Sequence, residues 1–330
     1  MKIAILGAGS WGTALGQLLN ENGHDILLWH LENDFVNKIN ECHFHPFIPG
    51  IHLSPELKFT SSISKISSYG DLLISAVPSQ AVRHVLSSFP SKWKKSVISV
   101  SKGIENKTGM RMSQVISEIL DLHENNIIIL SGPSHAEEVS LKYPTTVVSA
   151  CVKIDNARRV QKLFSNQYFR VYASSDVIGV EIGAAAKNII ALAAGICKGL
   201  NFGDNSTAAL VTRGLEEIVR LGIALGAQRE TFSGLSGMGD LVVTAFSPHS
   251  RNRQVGCKIG KGEKLEDILS NMEMVAEGVE TTRSIHGLIK QNNIEMPICE
   301  QIYKVLFEDL SPRQAILALM GRELVDEHPE

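Results

Sequence analysis

The sequence predicts an α/β protein in which an N-terminal, doubly wound, mostly parallel sheet precedes a mainly α-helical C-terminal domain. In the first half, compact runs of Val, Ile and Leu alternate with helical patterns. The runs are apolar on both faces, which is typical of strands buried in a parallel sheet. After about Ser174 the strand patterns fade, and Gly, Ala and helix-forming residues dominate. We therefore expect two domains, residues 1–176 and residues 177–330.

Short apolar runs predict the strands of the first domain in chain order: KIAILGAG (2–9), HDILLWH (24–30), DLLISAVP (71–78), KSVISVSKG (95–103), NIIILSGP (126–133) and TTVVSAC (145–151). Helical patterns lie between most of them: TALGQLLNEN (13–22), QAVRHVLSSF (80–89) and GMRMSQVISEILDLH (109–123). In the second domain, GVEIGAAAKNIIALAAGICKGL (179–200) is too long and too apolar for a surface helix. It predicts a central helix packed on several sides.

The composition predicts an ordinary soluble, cytoplasmic protein. A net charge of −3 gives no indication of binding to nucleic acid or to an anionic membrane. The five cysteines lie far apart without a CxxC pair, which favours reduced thiols and no metal site. We expect no export signal. The longest apolar stretch, Asn188–Cys197, is shorter than the roughly 20 residues of a membrane span, so we expect no integral membrane segment.

A glycine motif directly after the first strand predicts a nucleotide site. GAGSWG, from Gly7 to Gly12, fits G-x-G-x-x-G between a strand (Ile3–Leu6) and a helix that begins near Thr13. The first glycine allows a tight turn, Gly9 lets a pyrophosphate approach the backbone, and the third lets helix and strand pack closely. The free N–H groups of the helix N-terminus then face the anion. The motif in this context predicts a Rossmann-type domain that binds NAD or NADP.

The residues after the second predicted strand leave the choice between NAD and NADP open. Glu32 lies about 20 positions beyond the glycines, where an acidic residue holds a ribose hydroxyl of NAD. A solvated loop carboxylate is an equally good interpretation of Glu32. The strand can also end at His30, and a histidine there or a neighbouring lysine could lie beside the 2′-phosphate of NADP.

Several polar residues follow predicted strand ends, where open α/β sheets bind their ligands. Lys102 lies in VSKG, and the turn SGPSHAEE carries Gly132, Ser134 and Ala136. Lys187 lies among alanines and isoleucines, and desolvating an ammonium is costly. It is therefore either a reactive group or a lysine at the solvent-exposed edge of a helix.

The second domain adds residues suited to a small phosphate. Asp240 follows a glycine-rich loop, and Ser250, Arg251 and Asn252 form a polar triplet whose arginine offers a planar fork of donors. The segment 274–281, MVAEGVET, places Val275 and Glu277 just before a glycine.

The ordered set of motifs resembles the bacterial-type NAD(P)-dependent glycerol-3-phosphate dehydrogenases. The resemblance covers the chain from Met1 to about residues 296–298 and rests on GAGSWGTA, AVPS, SKG, SGPSHAEEV, GVEIG with KNIIALAAGI, TRGLEEI, GLSGMGDLVVT, HSRNR and AEGV. It implies reversible reduction of dihydroxyacetone phosphate to sn-glycerol 3-phosphate for glycerophospholipid synthesis. It also implies a homodimer.

The resemblance implies a role for each matched position. Lys187 corresponds to the catalytic lysine and also contacts the substrate, with Lys102 and Asp240 beside it. Further implied substrate contacts are Lys102, Gly132, Ser134, Asp240, Ser250, Arg251 and Asn252. Implied cofactor contacts besides the three glycines are Ser10, Trp11, Lys102, Ala136, Arg251, Val275 and Glu277. Family members often carry His or Arg where this chain has Leu31 and Glu32, so NADP use stays open.

This assignment predicts how the lysines work. Lys187 is expected to donate a proton to the carbonyl oxygen and to recover it in reverse, which requires a pKa below the usual 10.4 or so. An apolar surround and a second cation, Lys102, would lower that pKa, whereas Asp240 would hold the ammonium in place. Two alternatives remain: another two-domain hydroxyacid or hydroxyacyl dehydrogenase, and a non-catalytic nucleotide-sensing protein.

Overall fold

The structure is a computed structural model that describes residues 1–48, 50–90, 93–272, 275–324 and 326–327. The strands in these residues are β1 Lys2–Leu6, β2 Asp25–Trp29, β3 Lys58–Thr60, β4 Leu72–Ser75, β5 Val97–Ser99, β6 Ile127–Ser131, β7 Thr145–Ala150 and β8 Phe169–Ser174. The helices that accompany the sheet are α1 Ser10–Glu21, α2 Asn33–Cys42, α3 Ile63–Ser68, α4 Val82–Ser87, α5 Met112–Leu120, α6 Ala136–Ser140 and α7 Ile154–Phe164. Those that follow the sheet are α8 Val177–Gly199, α9 Asp204–Ala224, α10 Arg229–Phe232, α11 Asp240–Phe246, α12 Arg251–Gly260, α13 Leu265–Ser270, α14 Glu277–Asn292, α15 Pro297–Phe307 and α16 Pro312–Met320.

The strands form one sheet in the order β3-β2-β1-β4-β5-β6-β7-β8. Every neighbouring pair is parallel except β6 and β7, which pair antiparallel. The first six strands have the order of the doubly wound dinucleotide-binding fold, in which the chain changes direction across the sheet between β1 and β4. The predicted fold class is confirmed.

Helices cover both faces of this sheet because the strand side chains alternate between two apolar layers. Ile3 and Ile5 of β1 face one core with α1, α2, α6 and α7, whereas Ala4 and Leu6 face the other core with α3, α4 and α5. All four side chains are fully buried, so β1 has no solvent face. Burial on both faces explains why its sequence is a continuous apolar run instead of an alternating one.

The central helix of the second domain is α8, as predicted. It is 23 residues long and apolar enough to cross a membrane by length and composition, but 94% of its most hydropathic window is buried inside the protein. The helix extends well beyond the apolar stretch Asn188–Cys197 that was compared with a membrane span above. Its burial shows that it is a core helix of the protein. Its packing against α12 is very close, since a Cβ added at Gly256 would lie 2.0 Å from the carbonyl oxygen of Leu192.

Two strands were missing from the sequence prediction, and both lie at the edges of the sheet. β3 has three residues, Lys58–Thr60, and β8, Phe169–Ser174, alternates between buried and exposed positions in its first half. Edge strands are buried on fewer sides, so their sequences lack the continuous apolar run of the central strands. The second strand ends at Trp29, one residue before His30.

Candidate active site

The glycine turn lies between β1 and β4, where the sheet changes direction. Gly7 has a φ of +106°, a conformation that favours glycine, and its N–H donates to the carbonyl of Trp29 at 3.1 Å. A Cβ at Gly7 would lie 2.7 Å from the carbonyl oxygen of Ala76, directly after β4. The first glycine is therefore required by the fold itself.

The other two glycines of the motif differ in what requires them. A Cβ at Gly12 would lie 1.9 Å from the carbonyl oxygen of Gly7, so this position must be glycine for helix α1 to approach the strand. No protein atom lies within 4 Å of a Cβ added at Gly9. Because packing within the protein does not require a glycine there, the open space fits a ligand that approaches the backbone, as the motif predicts.

A cleft of about 510 Å³ runs from the glycine turn to the helical domain. Fifteen of the sixteen site residues proposed from the sequence line it: Gly7, Gly9, Ser10, Trp11, Gly12, Lys102, Ser134, Ala136, Lys187, Asp240, Ser250, Arg251, Asn252, Val275 and Glu277. The sixteenth, Gly132, is not among the lining residues. Its carbonyl oxygen accepts a hydrogen bond from the Lys102 ammonium at 3.0 Å, so it orients that lysine.

Two lysines share one buried carboxylate in this cleft. The Lys187 Nζ lies 2.6 Å from Oδ1 of Asp240, and the Lys102 Nζ lies 2.8 Å from Oδ2. The Asp240 side chain is 1% exposed, that of Lys187 5% and that of Lys102 19%. Asp240 begins α11, directly after a π-helical turn at Leu235–Gly239, an irregularity often found at functional sites.

When both lysines are protonated, Lys187, Lys102 and Asp240 together carry a net charge of +1. The pKa of Lys187 is lowered to about 7: burial is the largest cause, Lys102 lowers the pKa as well, and Asp240 opposes both by raising it. Burial by itself would raise the pKa of Asp240, but the two ammonium groups outweigh it and hold that pKa below its usual value. Lys187 can therefore exchange a proton near neutral pH, whereas Asp240 stays ionised.

Thr244 is a site residue that the sequence reasoning missed. The Lys187 ammonium donates to its Oγ1 at 2.6 Å, and the hydroxyl donates to the main-chain oxygen of Asp240 at 2.6 Å. Thr244 lies four positions after Asp240, so one helical turn places both on the same face of α11. That spacing was the available signal.

His135 also lines the cleft and was missed. Its ring lies 5.8 Å from that of His249, and its buried Nε2 has no hydrogen-bond partner among the described residues. Burial, and then the nearby Lys187, lower its pKa, so His135 is neutral at pH 7.

The polar triplet predicted to suit phosphate forms the start of α12. Ser250 is the N-cap, and its hydroxyl accepts from the N–H of Arg253. The side-chain oxygen of Asn252 accepts from the N–H of Gly278 at 2.9 Å. Arg251 is exposed, and one of its N–H groups donates to the carbonyl of Val275 at 3.0 Å. The triplet therefore presents a cation and a helix N-terminus to the cleft.

Glu277 links the two halves of the structure across the cleft. It begins α14, and its carboxylate accepts from the N–H of Ser79 at 2.9 Å and from the Ser79 hydroxyl. Ser79 lies just after β4. Burial raises the pKa of Glu277. The residue predicted as a cofactor contact thus also ties the helical domain to the sheet.

The two candidates for contact with an adenosine ribose occupy different positions. His30 lines the cleft beyond β2, together with Leu31. Glu32 is the N-cap residue of α2, is exposed, and is not among the lining residues.

A doubly wound sheet with a glycine turn at its switch point, facing a helical domain with a buried lysine of lowered pKa, defines a nicotinamide-dependent dehydrogenase. Residues 2–157 match the family model described as NAD-dependent glycerol-3-phosphate dehydrogenase N-terminus, and residues 176–317 match the corresponding C-terminus. The chain therefore belongs to the NAD-dependent glycerol-3-phosphate dehydrogenase family, which confirms the resemblance carried by its motifs.

Relatives and solved structures agree with the family match. A curated protein of Lysinibacillus sphaericus (strain C3-41), named glycerol-3-phosphate dehydrogenase (NAD(P)+), is 49% identical over 325 residues, which are 97% of this chain and 96% of the relative. The same name is given to a protein of Citrifermentans bemidjiense, 49% identical over 98% of each chain. The crystal structure of glycerol-3-phosphate dehydrogenase (gpsA) from Coxiella burnetii has a TM-score of 0.91 and 35% identity, over 97% of this chain and 98% of the other.

Proposed function

We propose that the protein catalyses the reversible reduction of dihydroxyacetone phosphate to sn-glycerol 3-phosphate with NADH or NADPH. The observation that carries the proposal is the cleft in which Lys187, Asp240 and Lys102 lie together with the glycine turn and with Arg251. Membership of the dehydrogenase family and the names of the curated relatives support it. A nucleotide-sensing protein that catalyses no reaction would not need a buried lysine with a pKa near 7.

The glycine turn and the start of α1 are the residues that would hold the dinucleotide. Gly9 leaves room for the pyrophosphate, and the N–H groups at the start of α1 face it. Ser10, Trp11 and Ala136 line the same part of the cleft. When bound, the reduced nicotinamide supplies the hydride.

Lys187 is the proton donor in this proposal. Its ammonium polarises the carbonyl oxygen of the substrate and gives it a proton as the alkoxide forms, and the neutral amine takes the proton back in the oxidation direction. Asp240 and Thr244 fix the position of the nitrogen through the two 2.6 Å contacts. Lys102 adds positive potential and helps to keep the pKa of Lys187 near 7.

The phosphate is assigned to the start of α12. Ser250, Arg251 and Asn252 offer a hydroxyl, a guanidinium and an amide at a helix N-terminus, which together suit a small dianion. Ser134 lines the cleft and would add a hydroxyl contact to the substrate. These donors favour a phosphorylated ketone over the ketoacids or hydroxyacyl thioesters of the alternative dehydrogenase assignments.

The two domains have different roles in the proposed reaction. Residues 1–176 form the dinucleotide-binding domain and residues 177–330 the substrate-binding and catalytic domain, with Lys102 and Ser134 of the first domain also reaching the substrate. The change from β8, ending at Ser174, to α8, beginning at Val177, supports this boundary. We also propose a cytoplasmic homodimer that supplies glycerol phosphate to phospholipid synthesis, which the resemblance of the motifs implies.

The test compares substrates with and without the phosphate. The purified protein should oxidise NADH or NADPH in the presence of dihydroxyacetone phosphate and turn over unphosphorylated dihydroxyacetone poorly. Arg251→Met should raise KM for dihydroxyacetone phosphate much more than it lowers turnover of dihydroxyacetone. Equal turnover of both ketones, or turnover of a ketoacid alone, would overturn the assignment.

A further inference from the structure

We propose that His45 is a positioning residue, whose ring fixes the peptide group that presents the Gly9 N–H to the dinucleotide. The inference rests on the proposed function for the identity of the ligand. It then goes further, because it assigns a task to a histidine that does not itself line the cleft. His45 lies in the segment HPFI (45–48), which follows α2 and is not part of any motif considered above.

Both nitrogens of the His45 ring are bonded to the backbone. Nδ1 accepts from the N–H of Phe47 at 3.1 Å, so Nδ1 carries no proton. Nε2 lies 3.0 Å from the carbonyl oxygen of Ala8, and because a carbonyl only accepts, Nε2 carries the ring proton and donates it. The two bonds therefore specify one neutral tautomer. The residue is 2% exposed, and burial lowers its pKa, which keeps the ring neutral at pH 7.

The chain around His45 folds so that its ring reaches the glycine turn. The N–H of Ile48 donates to the carbonyl oxygen of His45 at 3.1 Å, which closes a β-turn with Pro46 in its second position, where proline is favoured. The ring packs edge-on against Phe35 and Phe47, with 5.5 and 5.8 Å between centroids. Phe47 lines the cleft. His45 thus joins a wall of the cleft to the glycine turn.

The bond to Ala8 determines where the Gly9 N–H points. The carbonyl of Ala8 and the N–H of Gly9 belong to one planar trans peptide, so they point in opposite directions. The Ala8 N–H donates to the carbonyl of Trp29 at 2.8 Å, so the peptide groups on both sides of Ala8 are held. In the described part of the chain the Gly9 N–H has no hydrogen-bond partner. The ring therefore directs a free donor away from itself, at a residue that lines the cleft.

A histidine with this task differs from a purely structural one in what its loss changes. Without the bond from His45, the peptide between Ala8 and Gly9 can rotate, and NADH must order it on binding. Lost preorganisation weakens binding of the ligand that the peptide meets. The Kd and KM of NADH should therefore rise, whereas the KM of dihydroxyacetone phosphate, which is assigned to the other end of the cleft, should not.

Two substitutions separate the two hydrogen bonds of the ring. In His45→Asn the side-chain oxygen can still accept from the N–H of Phe47, two residues further on, as in an Asx-turn, but the shorter side chain does not reach Ala8. In His45→Gln the amide nitrogen can donate to Ala8 in place of Nε2, and the bond from Phe47 is lost. His45→Phe keeps an aromatic ring and removes both bonds. The control is His52→Asn, the same substitution at an exposed position that does not line the cleft.

Energy transfer from tryptophan to bound NADH measures Kd without a ketone present, because Trp11 and Trp29 line the cleft. His45→Asn and His45→Phe should raise this Kd about five- to tenfold, the usual effect of one lost hydrogen bond. His45→Gln and the control His52→Asn should stay within about twofold of the wild type. In steady-state turnover the KM of NADH should follow its Kd, while kcat and the KM of dihydroxyacetone phosphate stay within about twofold.

Nitrogen NMR of the wild-type protein, labelled at its histidine rings, tests the tautomer without relying on the folding of a variant. At pH 7 the His45 ring should show a protonated Nε2 and an unprotonated Nδ1. Its signals are identified by their absence from the spectrum of His45→Gln or of whichever His45 variant folds.

Three results would overturn the inference: a His45→Asn variant that binds NADH as tightly as the wild type, a His45→Gln variant that loses as much affinity as His45→Asn, or a wild-type ring protonated at Nδ1. Failure of the proposed function has a different signature, because the Kd of NADH would then respond to the variants as expected while dihydroxyacetone phosphate caused no oxidation.

Discussion

Replacing Lys187 by methionine is expected to stabilise the folded protein while it abolishes turnover. Two ammonium groups share the single carboxylate of Asp240, so Lys187 is the charge in excess. In the variant, Asp240 keeps its 2.8 Å ion pair with Lys102, and the Thr244 hydroxyl keeps its bond to the main-chain oxygen of Asp240. No buried charge or hydroxyl loses its last partner, and methionine fills a similar volume in an apolar surround.

The size of the effect follows from the pKa of Lys187. A fall from 10.5 to about 7 corresponds to about 5 kcal/mol by which the folded site, with its pairing to Asp240 included, disfavours the charged form. A small part of that energy is recovered because the lysine is partly deprotonated at pH 7, and replacing buried ionic groups by apolar ones typically stabilises by about 1–4 kcal/mol. We expect a gain in that range at pH 7. Turnover should fall by about 10²–10⁴-fold, the usual contribution of a general acid.

The stability that Lys187→Met gains over the wild type should decrease as the pH rises above neutrality. Between pH 7 and pH 10.5 the unfolded chain holds the lysine proton and the folded chain does not, so the stability of the wild type rises with pH through this window. The methionine variant has no proton at this position, so it lacks this pH-dependent contribution to the free energy of unfolding. Its advantage should therefore be largest near neutral pH and should shrink as the pH approaches 10.

Urea denaturation at pH 7 and at pH 9, followed by circular dichroism, measures the stability difference. Turnover of dihydroxyacetone phosphate and NADH binding are measured on the same samples, with NADH binding as evidence of an intact cofactor site. A variant that unfolds at lower urea concentration than the wild type at pH 7, or one that retains turnover within tenfold, would refute the reasoning.

Two further predictions concern the glycine turn and the shared carboxylate. Gly9→Ala should change the free energy of unfolding by less than about 1 kcal/mol yet weaken NADH binding about tenfold or more, because its Cβ meets no protein atom. Gly12→Ala, whose Cβ would lie 1.9 Å from the carbonyl oxygen of Gly7, should cost about 1–3 kcal/mol of stability; equal stability of the two variants in urea would contradict the distinction. Asp240→Asn leaves two ammonium groups without their carboxylate and should cost about 3–5 kcal/mol in urea denaturation, so an Asn variant as stable as the wild type would argue against the shared ion pair.

The central strands and the long helix could be predicted from the sequence because their burial leaves a strong pattern. β1 is buried on both faces and α8 on nearly all sides, so β1 is apolar from Ile3 to Leu6 and α8 is apolar apart from a few residues, Lys187 among them. β3 and β8 were missed because edge strands carry polar residues, and what makes them strands is pairing with a neighbour distant in the chain. Local pattern contains no information about that pairing.

The site residues were predictable to the extent that their motifs are local. The glycine turn places three predicted residues by its own geometry. The meeting of Lys187 with Asp240, 53 positions later, follows only from the packing of α8 against α11. The role of Gly132 through its carbonyl, and that of Thr244 through its hydroxyl, depend on side-chain directions that a sequence motif does not specify.

The pH dependence of kcat/KM for dihydroxyacetone phosphate reduction tests most directly whether Lys187 is the proton donor. In the reduction direction the wild-type value should fall as the pH rises through about 7, since Lys187 then loses its proton, and in the oxidation direction it should rise. The residual activity of Lys187→Met should show no such transition. A wild-type profile that stays flat from about pH 6 to pH 9, or a transition that persists in the methionine variant, would contradict the account.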